Sequence, residues 1–86
     1  MVSKVMSISE KANLVPIKIA ELVSIANQFD SSIHIEQDDK VVNVKSIMGM
    51  MGLGITTGTE FKVTADGEDE SRAIEKIEQY VCALAS

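Results

Sequence analysis

The chain is 86 residues long, with 45% hydrophobic and 24% charged residues, which suits one hydrophobic core and lies far from the composition of disordered chains. Its formal net charge of −5 opposes binding to nucleic acid or to an anionic membrane surface, and Phe29, Phe61 and Tyr80 are too few aromatics to stack single-stranded bases. A lone cysteine, Cys82, excludes an intrachain disulfide framework and fits a reducing compartment.

Val2, Met6 and Ile8 recur at every second position with Ser3 and Ser7 between them, the pattern of a half-buried strand, although Lys4 falls on the apolar face. This N-terminal stretch lacks the continuous apolar segment of a signal peptide, and no stretch approaches a membrane span, so a cytoplasmic location is expected. Residues 17–29 carry Ile19, Leu22, Val23 and Ala26 at helical spacing behind Pro16, a residue suited to a first helical turn because the missing N–H there would be unpaired anyway. Ile17 and Ile25 fall off that stripe, which leaves apolar surface exposed.

Ile33 and Ile35 alternate with His34 and Glu36, and the turn-forming residues 37–40 precede a second apolar run over 41–44, which predicts a hairpin. Ser46 is a good N-cap ahead of the glycine-rich residues 47–55, a short irregular helix with Met50 and Leu53 facing inward. Phe61, Val63 and Ala65 alternate over a strand at 60–66. Residues 69–84 hold the clearest helical stripe, Ala73, Ile74, Ile77, Val81 and Leu84, with acidic residues at its start where the helix dipole favours them. The order is strand, helix, strand, strand, helix, strand, helix. It predicts one α+β domain over residues 1–86, an antiparallel sheet with helices on one face and water on the other.

Lys45-Ser46-Ile47-Met48-Gly49-Met50-Met51, with Val42-Asn43-Val44 before it and Gly54-Ile55 after it, resembles the regulatory-serine region of the HPr phosphocarrier family and of its non-catalytic Crh branch. Ala26-Asn27-Gln28-Phe29 is similar to the end of the family's first helix, and Gly67-Glu68-Asp69-Glu70 to the start of its last. The resemblance implies an open-faced β-sandwich, βαββαβα, in which a four-stranded antiparallel sheet is covered by three helices. The independent element order agrees with it.

The family's active loop reads glycine, an apolar residue, the phospho-accepting histidine, alanine, arginine, proline, alanine. Here the same stretch is Asn13-Leu14-Val15-Pro16-Ile17-Lys18-Ile19. Val15 stands where the histidine would be, and an aliphatic side chain has no lone pair with which to accept phosphate. Ile17 replaces the arginine that would steady a bound phosphate through its planar fork; Lys18 could offer only a point charge. Phosphohistidine transfer and catalysis are therefore not expected.

Ser46 is the position at which the resemblance implies phosphorylation by an ATP-dependent HPr kinase. At a helix N-cap a phosphate could also take up free backbone N–H groups. The plainer alternative is a structural cap. Ile47, Met48 and Met51, with Ile17, form the expected partner-binding surface, since flexible, polarisable methionines suit varied partners; Lys18 and Lys45 are candidate phosphate or partner contacts. The partners implied are HPr kinase, a regulator of the CcpA type, an enzyme of carbon metabolism, or other phosphotransferase-system proteins. Two further readings stand beside regulation through Ser46: an unphosphorylatable decoy that docks to the phosphotransferase system, and a constitutive protein-interaction module. A monomer is expected, with no cofactor and no metal, because one His and one Cys far apart are no ligand set. His34 reads as a surface residue and Cys82 as a packed thiol.

Overall fold

Strand alternation sorts the apolar residues onto one face of a sheet, and the helical stripes cover that face. A computed structural model, which describes residues 1–8, 16–53 and 60–84, contains β1 (Val2–Ser7), α1 (Pro16–Ala26), β2 (Ser32–Gln37), β3 (Lys40–Asn43), α2 (Ile47–Leu53), β4 (Glu60–Asp66) and α3 (Glu70–Leu84). The strands lie in the order β1-β4-β2-β3, and every neighbouring pair is antiparallel. The three helices over this four-stranded open sheet are the expected α+β architecture.

Period-two patterning is cleanest in the central strands. Ile33, Ile35 and Gln37 of β2, with Phe61, Val63 and Ala65 of β4, point into the core while His34, Glu36 and Lys62 face water. Burial of an isoleucine the size of Ile33 or Ile35, each almost fully enclosed, stabilises the fold by about 1.5 to 3 kcal/mol. From above, Ile19, Leu22, Val23 and Ala26 of α1 and Ala73, Ile74, Ile77 and Val81 of α3 close the same core. Lys4 does fall on the apolar side of β1, and it is accommodated because its side chain stays half exposed and its Nζ reaches out 2.7 Å to Glu78 on α3, which leaves the charge in water.

Some boundaries differ from expectation. α1 stops at Ala26 rather than at residue 29, because Gln28 and Phe29 donate to carbonyls three residues back, Ile25 and Ala26, and tighten the chain out of the helix. β3 spans 40–43 rather than 41–44, closing a two-residue turn in which Asp38 has φ 57°, a left-handed conformation that short polar residues tolerate. Cys82 is exposed, not packed. It follows Val81 on α3, one position round the helix from the buried stripe.

Asp69, expected only to sweeten a helix start, instead ties two elements together. Its carboxylate accepts the N–H of Asp30 at 2.9 Å and of Ser31 at 3.0 Å, and also the Ser31 hydroxyl. These donors, the Ser31 hydroxyl foremost and then the Asp30 N–H, hold the carboxyl below its ordinary pKa. A depressed folded-state pKa contributes stability that is complete above the unfolded value and is lost as pH falls through the folded one. The urea midpoint should therefore fall with acid from about pH 4 downward, and Asp69→Asn should flatten that slope. An unchanged slope would mean that the carboxylate does not tie the chain there.

Candidate functional site

The chain enters α2 through a turn that presents Ser46. The Asn43 side-chain oxygen accepts the Lys45 N–H at 2.9 Å, and the Ser46 N–H donates to the Asn43 carbonyl at 3.0 Å. Ser46 then caps the helix: its Oγ accepts the Gly49 N–H at 3.1 Å, and its carbonyl accepts the Met50 N–H at 2.9 Å as the first helical bond. The hydroxyl-bearing residue is exposed. An N-cap serine is thus held in one orientation by its own helix while one side stays open to a partner.

α2 divides as its spacing predicts. Met50 and Leu53 are buried, whereas Ile47, Met48 and Met51 are 44%, 83% and 39% exposed. Ile17, at the start of α1, is 64% exposed, and α1 packs directly against α2. Two contacting helices therefore carry all four apolar residues of the expected surface on their exposed sides.

Both lysine candidates have structural surroundings that composition does not reveal. Lys45 Nζ donates to the Phe29 carbonyl at 2.7 Å, placing a cation just beyond the C-terminal end of α1 where the helix dipole favours it. Asn27 Nδ2 reinforces the link, donating to the Val23 carbonyl at 2.9 Å and the Lys45 carbonyl at 3.3 Å. The end of α1 and the residue before Ser46 are thereby fastened together. Asn27 directly follows the last helical residue, and its side-chain amide caps one of the carbonyls at the helix end that lack a partner within the helix. Lys18 is half-buried, and its carbonyl lies 3.1 Å from the Tyr80 hydroxyl. That hydroxyl also lies 3.0 Å from Glu21 Oε2. Burial first, then the Glu21 carboxylate, pushes the Tyr80 pKa up to about 12, so the phenol keeps its proton, and its hold of α1 against α3, in more alkaline solution than an ordinary tyrosine would.

Asn13, Leu14 and Val15, which carry the loop comparison, lie outside the described residues, as do Gly54 and Ile55. His34 is exposed on β2, opposite Thr64 and Asn43 on the sheet face away from the helices. It is on the wrong side of the sheet to serve the start of α1.

The family model described as the PTS HPr component phosphorylation site matches residues 2–83. The HPr-like protein Crh of Bacillus subtilis (strain 168) is 44% identical over 81 residues, 94% of this chain and 95% of that protein. The crystal structure of HPr-C-His from Thermoanaerobacter tengcongensis superposes with a TM-score of 0.91 at 36% identity, covering 99% of this chain and 96% of that one. A crystal structure of Crh, the Bacillus subtilis catabolite repression protein, gives a TM-score of 0.75 at 43% identity over 96% and 95% of the two chains, and is a dimer with a swapped domain. The expectation of a monomer thus stands against a dimeric relative. With its Ser46 segment folded as an exposed helix cap, its strand order and its whole-length matches in agreement, the chain belongs to the HPr family.

Proposed function

We propose that this protein is a non-catalytic HPr-like regulator of carbon catabolite control, cytoplasmic, working through phosphorylation of Ser46 and binding of protein partners, with no phosphohistidine step. The observation that carries the reading is the exposed Ser46 Oγ at the cap of α2, with Ile47, Met48 and Met51 exposed on the same helix. A phosphate on Ser46 adds about two negative charges beside that apolar surface. A partner that presents cations around an apolar groove then gains both charge-assisted bonds and apolar burial. Val15 supports the second half of the proposal, since a valine cannot accept phosphate from phosphoenolpyruvate by way of enzyme I.

Incubation with ATP and an HPr kinase, followed by mass-spectrometric mapping, should place phosphate on Ser46, and the modified form should retain a CcpA-type regulator that the unmodified form does not. Modification elsewhere, or none, removes the regulatory mechanism. A second reading is favoured by Ile17, which is apolar and exposed where the family carries arginine: a constitutive interaction module using Ile17, Ile47, Met48 and Met51. Partner binding that is indifferent to Ser46→Ala selects it. A docking-only decoy of the phosphotransferase system would bind enzyme I and take up no phosphate.

A further inference from the structure

The seven-residue helix α2 contains two glycines, Gly49 and Gly52, although glycine is the poorest helix former after proline. Their surroundings differ. A Cβ at Gly52 would meet nothing within 4 Å, whereas one at Gly49 would lie 3.2 Å from Ser46 Oγ and 3.4 Å from Ser46 Cβ. The third neighbour of Gly49, the Val42 Cβ, would be at 3.7 Å, an ordinary contact, so the seat of α2 on β3 would accept a methyl group there. The group that a side chain at this position crowds is the Ser46 hydroxymethyl itself.

We propose that Gly49 is a positioning residue for phosphoryl transfer to Ser46: its missing side chain keeps open the space beside Oγ that the phosphoryl group needs. The inference rests on the reading of Ser46 given above. In the transfer, an Oγ lone pair attacks the γ-phosphorus of a nucleoside triphosphate and forms the Oγ–P bond. The bond from that phosphorus to the β,γ-bridging oxygen breaks, its electron pair leaves with the nucleoside diphosphate, and the hydroxyl proton passes to a base of the kinase. The step puts a tetrahedral group on an oxygen that already has the Gly49 N–H at 3.1 Å. A methyl at 3.2 Å from that oxygen either excludes some orientations of the group or turns the serine off its cap. The first narrows the approach of the phosphoryl group and the second displaces the nucleophile, and small misplacements of reacting atoms are amplified in rate.

The two glycines supply their own control. Gly52→Ala gains the same helix propensity with no new contact, so it should raise Tm and leave phosphorylation by ATP and HPr kinase within about twofold of the parent. Gly49→Ala should lower kcat about tenfold or more with KM within about twofold, because the obstruction is at the reacting atom and the exposed Met48 and Met51 are unaltered. A second measurement needs no kinase. In a Cys82→Ser background carrying Ser46→Cys, adding Gly49→Ala should slow alkylation by iodoacetamide about threefold or more, and adding Gly52→Ala should not. Equal kcat for the two alanine variants overturns the inference. If the parent takes no phosphate on Ser46, the reading of that serine fails, and equal alkylation rates would then overturn the role of Gly49 separately.

Discussion

Gly67→Ala is expected to be among the most damaging single-methyl additions to this chain, lowering stability by about 3 kcal/mol and Tm by roughly 10 to 20 °C. A Cβ at Gly67 would lie 2.7 Å from the Ser31 Cα and 2.9 Å from the Ser31 Cβ, distances that non-bonded carbon atoms do not tolerate. Relief by movement of Ser31 is blocked, because the carboxylate of Asp69 accepts its N–H at 3.0 Å and also its hydroxyl, and Ser31 is itself buried. The methyl must therefore displace either the link into β2 or the start of α3. Thermal and urea melts of Gly67→Ala beside Gly52→Ala, whose Cβ meets nothing within 4 Å, isolate this steric effect from the general preference of alanine over glycine. Equal stability of the two variants would mean that Ser31 yields after all.

Met48→Glu is expected to weaken partner binding about thirtyfold or more while leaving the fold intact. Met48 is 83% exposed on α2, so the change should alter stability by no more than about 0.5 kcal/mol. In a complex that buries Met48, a carboxylate loses the apolar contact and must be desolvated, a combination that at an interface centre commonly exceeds about 2 kcal/mol. The variant separates two roles that a change at Ser46 confounds, since its helix cap and modification site are untouched. Titration of a CcpA-type regulator with the parent and variant proteins, both in their Ser46-phosphorylated forms, measures it; equal affinities would move the binding surface off α2.

The sheet and its covering helices were legible in the residues because the central strands and α3 obey one periodicity without interruption. Ile33 and Ile35, Phe61 and Val63, and Ala73, Ile74, Ile77 and Val81 are all buried on the side their spacing assigns. Met50 and Leu53 were also sorted correctly from Ile47, Met48 and Met51, since seven residues of helix leave few ways to face a core. Less legible were the groups whose partners are distant in sequence. The sequence names Lys45 as a candidate phosphate or partner contact but does not show its bond to the Phe29 carbonyl; it marks Asp69 as helix-start charge but does not show that it ties down Asp30 and Ser31. Local periodicity carries no information about such contacts, which depend on where the chain returns after a whole element. The end of α1 is illegible for a related reason: Phe29 is half-buried and fits the apolar pattern, while the turn that stops the helix three residues earlier depends on backbone bonds and on Asn27.

The most direct test offers the protein two phosphoryl donors in parallel, phosphoenolpyruvate with enzyme I and ATP with an HPr kinase, and follows acid-labile and acid-stable phosphate on the intact chain and its peptides. An acid-stable phosphate monoester on Ser46 from ATP and no phosphate from phosphoenolpyruvate is the result expected of a chain with Val15 ahead of its first helix. Acid-labile phosphate acquired from phosphoenolpyruvate would contradict it.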